Sequence, residues 1–206
     1  MQLYTNYNSW DVELLTSPDR YTGTIAKQVH GAAIISAENC TSGITEADGI
    51  LGNLQDNPFG VYTADCMPLI LLTKNHALVL HISRHSLLKG ILVNTAKTLA
   101  EEVINAVHIG PHICEHCFTF SRIEPPLQEF INMYPYAVSR SNGLVQISLL
   151  QVVMNFLPSI RVEDSAIIQD NRCTFETPNL ASYRRWLHEG KSSSFPSMIT
   201  SVRPAL

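Results

Sequence analysis

The sequence predicts a single α+β domain with mixed sheets, on three observations. Short apolar segments of β type crowd residues 24–82. A helical period takes over from about residue 86, and strand-like segments then interleave with the helices. A chain of 206 residues without internal repeat or low-complexity stretch suits one large domain or two small ones, and can bury a substantial core.

In chain order, residues 1–24 are polar and aromatic without clear period and read as a short strand and loop. Strands are expected at 24–29, 32–36, 49–51, 59–62, 67–73 and 77–82. The segments Met67-Pro68-Leu69-Ile70-Leu71-Leu72 and Ala77-Leu78-Val79-Leu80 are continuously apolar, as strands covered on both faces are. Lys74-Asn75-His76 between them makes a hairpin. Leu88, Leu92, Thr95, Leu99 and Val103 recur at helical spacing and predict a helix over 86–106. A strand at 107–109 then runs into the Gly110-Pro111 turn. Pro125-Pro126 opens a helix near 127–133, since proline suits a first turn. A third helix is expected over 144–156, closed by Pro158, followed by a strand over 161–169 and a loop at 174–179 leading to Ser182-Tyr183-Arg184-Arg185-Trp186.

Composition narrows the function classes. Hydrophobic content of 45% with 16% charged residues describes an ordinary globular protein. A net charge of −4 without a basic block gives no footprint for nucleic acid. The longest apolar run, 67–72, is far short of the ~20 residues that span a bilayer, so no membrane partner is expected. The N-terminus has neither a basic start nor an apolar core, and five cysteines, an odd number, fit reduced thiols in a cytoplasmic protein. Patterns for serine hydrolases, P-loops, H-E-x-x-H metalloproteases and dinucleotide folds do not occur.

The candidate chemistry centres on Thr63-Ala64-Asp65-Cys66, with His30 upstream in Gln28-Val29-His30-Gly31 and His81 downstream in Leu80-His81-Ile82. Two imidazoles and a thiolate are three ligands for a tetrahedral zinc with an open fourth position, the catalytic arrangement. Taken singly, each has a plainer reading: His30 a surface or capping residue, Cys66 a small buried hydrophobe, His81 a hydrogen-bonded core histidine. Their conjunction at the ends of neighbouring β-segments favours a site. Asp48 and Asp65 are the nearest carboxylates in sequence; either serves turn chemistry, orients a ligand imidazole or transfers a proton. His112, Cys114, His116 and Cys117 form a local cluster whose C-x-x-C spacing suits half a zinc knuckle or a redox pair. No second ligand pair stands out, and Cys173 reads as an isolated thiol. The expectation is a loop beside the main site with incidental extra ligands.

Gln28-Val29-His30-Gly31, Glu46-Ala47-Asp48-Gly49, Thr63-Ala64-Asp65-Cys66-Met67-Pro68-Leu69, His81, Ile109-Gly110-Pro111, Arg172-Cys173-Thr174 and Ser182-Tyr183-Arg184-Arg185 occur in one order over roughly residues 25–190. In that order they resemble the laccase-domain family, also called the polyphenol oxidase or peptidoglycan editing factor family, which includes purine nucleoside phosphorylases. The resemblance implies a mixed β-sandwich flanked by helices, with residues 25–206 as the laccase-like zinc-binding domain after a short N-terminal segment, 1–24. It implies Zn2+ held by His30, Cys66 and His81. With a metal there, Cys66, His81, Asp65 and Asp48 are expected in catalysis, and Arg84, His85, Arg184 and Arg185 in binding substrate. The expected activity is phosphorolysis of purine nucleosides, adenosine deamination or both, in a monomer or homodimer taking a nucleoside and phosphate. Alternatives are an editing hydrolase for peptidoglycan precursors, a cysteine hydrolase with Cys66 as nucleophile, and a non-catalytic homologue that binds zinc or a nucleotide. One mixed-ligand site does not amount to the several copper centres of a laccase, although Cys and His bind copper. The chain departs from the family after His81, where Ile82-Ser83-Arg84-His85-Ser86 replaces Ala-Gly-Trp-Arg-Gly, so that His85 stands at the family arginine's position. The family's N-terminal Arg, Gly-Gly and Asn-Leu motifs are not recognisable, and His112 and Phe118 replace a cysteine and a tyrosine.

Overall fold

A computed structural model describes residues 2–7, 9–191 and 194–205. Its centre is a six-stranded mixed sheet ordered β13 (Ile167–Gln169), β9 (Ala106–Ile109), β7 (Met67–Leu72), β8 (His76–Ile82), β5 (Gly49–Asn53), β4 (Ile34–Ser36). A five-stranded sheet runs β1 (Gln2–Tyr7), β2 (Trp10–Leu15), β14 (Met198–Pro204), β6 (Phe59–Thr63), β3 (Thr24–Ile25). A small third sheet is β10 (Thr119–Phe120), β12 (Leu144–Ile147), β11 (Val138–Ser141). Among the described residues there are five α-helices, α1 (Arg84–Leu88), α2 (Ile91–Thr98), α3 (Pro125–Met133), α4 (Leu149–Phe156) and α5 (Tyr183–His188), besides short 3-10 turns.

The alternation of strand side chains explains the unbroken apolar runs. Ile70, Leu72, Ala77 and Val79 face one way and pack with Trp10, Val12, Phe59, Val61 and Val202 of the five-stranded sheet. Leu69, Leu71, Leu78, Leu80 and Ile82 face the other way, under Leu87, Ile91, Leu127, Phe130 and Val152 of the helices. The fold is therefore an α+β sandwich of two sheets, with helices on the outer face of the central one. Each fully buried aliphatic side chain contributes roughly 1.5–3 kcal/mol, so β7 and β8 anchor the molecule.

Several local expectations are corrected. The helix over 86–106 is two helices, because Gly90 at φ 87° breaks the chain between them and Val103, 77% exposed, carries no core contact. The helix over 144–156 is the strand β12 followed by α4; Ser148 ends the strand and caps the helix by accepting from Gln151 N at 3.2 Å. The strand over 161–169 shrinks to β13, and that over 24–29 to β3. The N-terminal residues form two strands, and β14, not anticipated, lies between β2 and β6.

This topology brings one end of three neighbouring strands together. Asp48 immediately precedes β5, Cys66 immediately precedes β7, and His81 lies near the end of β8, opposite Pro68. His81 N donates to Asp48 O at 2.8 Å, extending the β5–β8 ladder by one step.

Candidate metal centre

His30, Cys66 and His81 each place one donor atom within 4.8 Å of the other two. The imidazole rings of His30 and His81 meet edge to face, with centroids 4.9 Å apart. His30 is exposed, Cys66 half-buried, and His81 buried at 3% exposure.

Asp48 organises both histidines. It is fully buried, and its Oδ1 lies 2.7 Å from His81 Nδ1, which leaves Nε2 as the free ring atom. Its Oδ2 accepts from Gly31 N at 2.6 Å and Val29 N at 3.1 Å, the two amides that flank His30. His30 itself sits at φ 52°, a conformation that costs a non-glycine residue roughly 1–2 kcal/mol, and these two bonds hold it there. Burial pushes the Asp48 carboxyl up, but the hydrogen bonds from His81 and the two amides prevail, and it is lowered overall. Burial likewise pushes the Cys66 thiol up, and His81 and His30 more than reverse this, bringing it down to about 7. For His81, burial lowers the pKa while Cys66 and Asp48 raise it, to about 9. The arrangement sets an acidified thiol between two imidazole rings, a donor set that could hold a metal ion.

Asp65 stands at φ 87° beside Cys66. Its Oδ1 accepts from Thr174 Oγ1 and its Oδ2 from Arg184 N, both at 2.7 Å. It thus ties the Cys66 turn to the start of α5. The Ser83 capping box begins α1 two residues after His81, which puts Arg84 and His85 in the first helical turn beside the cluster. The three donors lie where two cavities of about 1160 and 710 Å³ meet, sharing His30, Ala64, Cys66, His85 and Tyr183. The smaller one has Arg84, Arg184, Phe118 and Phe120 in its wall. Both guanidinium groups lie over the Phe120 ring, at 5.0 and 5.3 Å. Arg84 Nε is buried without a hydrogen-bond partner, while Arg184 donates to Thr119 O at 2.6 Å. Burial lowers the Arg84 pKa, Glu124 raises it and neighbouring Arg184 lowers it further. Burial also lowers that of His85, with Arg84, His30 and Lys89 adding to it.

Arg185 lies elsewhere. It lines neither cavity; its guanidinium donates to the carbonyls of Thr174, Phe175, Thr177, Pro178 and Leu180. Sequence reasoning also missed that Cys173 is not isolated: it meets Cys114, Cys117 and Glu176 in a second group of potential ligands within 4.8 Å. The missed signal was spacing, because Cys173-Thr174-Phe175-Glu176 repeats the C-x-x-C interval with a carboxylate at its end.

A family model described as multi-copper polyphenol oxidoreductase laccase matches residues 4–200. This chain belongs to that family. Among its relatives, a purine nucleoside phosphorylase of Aquifex aeolicus is 28% identical over 160 residues, covering 77% of this chain and 74% of the relative. A purine nucleoside phosphorylase of Clostridium acetobutylicum is 27% identical over 178 residues, covering 81% and 71%. Among solved structures, YlmD from Geobacillus stearothermophilus superposes with a TM-score of 0.73 at 19% identity, covering 89% of this chain and 73% of that one. The hypothetical protein YfiH of Bacillus licheniformis gives 0.72 at 19%, covering 87% and 73%. These two likenesses establish the shared fold. Among the described residues, no helix is long and apolar enough to cross a membrane.

Proposed function

We propose that the chain is a zinc-dependent enzyme acting on purine nucleosides, by phosphorolysis, deamination or both, with His30, Cys66 and His81 as metal ligands. The observation that carries this reading is the convergence of their three donor atoms within 4.8 Å at the junction of two cavities. Two imidazoles and one thiolate suit zinc and leave a fourth position for a reactant. Zinc bound there would act as a Lewis acid and draw the pKa of water from ~15.7 toward ~7. The multi-copper description fits less well, since the ligand chemistry is that of one mixed site rather than several copper centres.

The chain's own groups then divide the work. Asp48 fixes the His81 ring and the His30 turn. Arg84 and Arg184, both in the wall of the smaller cavity, bind an anionic group such as phosphate. Phe118, Phe120 and Tyr183 offer flat apolar surface to a base. Asp65, with both oxygens engaged, holds Arg184 in position. His85, in the wall of both cavities, is the group placed to carry a proton. The phosphorylase names of the two relatives agree with this substrate class.

The test is mass spectrometry of products after zinc-loaded protein is incubated with adenosine, with and without phosphate. Adenine and ribose 1-phosphate formed only with phosphate indicate phosphorolysis; inosine indicates deamination. Stoichiometric zinc with neither product rejects the nucleoside reading. Cys66→Ala should abolish both turnover and zinc at this site; if both persist, the ligand assignment is wrong. Turnover by metal-free protein that alkylation abolishes would make Cys66 a nucleophile instead.

A further inference from the structure

Two loops meet beside the active-site cavity, and their cysteines lie outside its wall. One follows β9 and carries Cys114 and Cys117; the other follows β13 and carries Cys173 and Glu176. They are joined by a bridge between His112 and Cys173, and Thr174 N donates to His112 O at 3.1 Å. The Cys114–Cys117 turn is knuckle-like: Cys117 N and Phe118 N both donate to Cys114 O, at 3.1 and 2.9 Å. Cys114 N in turn donates to Cys173 Sγ at 3.3 Å, so the amide and the sulfur already face each other across the two loops. Cys114 Sγ is 3.9 Å from Glu176 Oε2.

We infer that Cys114, Cys117, Cys173 and Glu176 form a second, structural zinc site that staples these two loops together. Three thiolates and a carboxylate make a complete tetrahedral set, and a closed set is the mark of a structural rather than a catalytic zinc. The ligands come as two pairs of identical spacing, Cys-x-x-Cys and Cys-x-x-Glu, which is how zinc knuckles present their donors. With Zn–S bonds of ~2.3 Å, tetrahedral sulfurs lie about 3.8 Å apart. The observed donors, all within 4.8 Å of one another, reach that geometry by small side-chain rotations. A disulfide would use two of the sulfurs and leave the third and the carboxylate without a role. The staple would also brace the active-site wall. Thr174, next to Cys173, holds Asp65; Phe118, next to Cys117, lines the smaller cavity.

The experiment uses the full chain with Cys66→Ala, so that thiolate–metal signals report this cluster alone, and the metals themselves, zinc and cobalt. After dialysis against a weak chelator, this protein should keep one equivalent of zinc, and its cobalt form should show intense thiolate-to-metal charge transfer. Adding Cys114→Ser and Cys117→Ser should remove both signals. Because those changes risk the fold, Glu176 supplies a gentler pair. Glu176→Ala should weaken binding by at least the ~10–100-fold that loss of an outer-shell partner costs, and Glu176→Cys should restore it. The inference is overturned if the Cys66→Ala chain holds no zinc, or if Glu176→Ala binds as tightly as its parent. A Cys114–Cys117 disulfide in protein isolated under reducing conditions would overturn it too.

Discussion

Replacing Asp48 by asparagine probes the centre most directly, because it preserves shape and removes only charge and one acceptor. The fully buried carboxylate accepts from three groups through two oxygens, His81 Nδ1 on one side and the amides of Val29 and Gly31 on the other. An asparagine amide has one oxygen and one NH2, so its NH2 either confronts the Val29 and Gly31 amides, donor to donor, or faces His81 Nδ1 and forces the ring into its other tautomer. Losing a hydrogen bond to a charged group costs roughly 1.5–3 kcal/mol, and a buried unsatisfied donor about 1–3. We expect about 3 kcal/mol of lost stability in metal-free Asp48→Asn by urea unfolding. Either the His81 tautomer or the His30 turn is released, so zinc at the site abolished by Cys66→Ala should bind ~10–100-fold more weakly in chelator competition. If Asp48→Asn unfolds within about 1 kcal/mol of the parent and keeps its zinc affinity, the carboxylate does not preorganise the ligands, and this reasoning fails.

Arg185→Lys should lower stability without moving the cavity chemistry. A lysine cannot reproduce the fork that reaches five carbonyls of residues 174–180, and a loss of about 2 kcal/mol lowers Tm by about 4–8 °C in a chain of this size, read by calorimetry. An unchanged Tm would show these bonds to be energetically idle. Burial lowers the pKa of His108 from 6.5 to about 4, only partly opposed by Asp170. The unfolded chain therefore binds a proton that the folded one refuses, so this contribution is intact above pH 6.5 and is lost as pH falls toward 4. At ~1.4 kcal/mol per pH unit the loss is at most about 3.5 kcal/mol. Urea unfolding at neutral and acid pH should show a shallower loss in His108→Phe; equal losses would mean that His108 does not carry it.

Much of the fold was legible because its central strands are apolar on both faces. The runs 67–72 and 77–80 needed nothing beyond their own residues to be read as β7 and β8. Where reading failed, a competing local signal or a distant partner decided. Leu88, Leu92 and Leu99 keep helical spacing across Gly90, yet the positive φ there splits the helix. Leu144, Ile147 and Leu150 mimic a helical stripe, although Ser148 starts the helix only after β12. The site's residue types were visible, but their meeting depends on pairing among β4, β5, β7 and β8, and the double grip of Asp48 on both histidines has no local signature. Arg185 looked like its neighbour Arg184 in sequence. One residue of helical rotation sends Arg184 to the cavity and Arg185 to the loop carbonyls.

The position of β14 bears on how the chain is made. This strand sits between β2 and β6, so the five-stranded sheet cannot close until residues 198–204 have been synthesised. From Leu15 to Met198 is 198 − 15 = 183 residues. At ~5–20 residues per second on the ribosome, β2 waits roughly 10–40 s with an open edge. Bare edges recruit other chains, and charged residues blunt them. Asp11 and Glu13 hold that post on β2. When β14 arrives, Arg203 meets them at 3.4 and 3.0 Å, and the same charges that kept the nascent edge apart then join it to its partner.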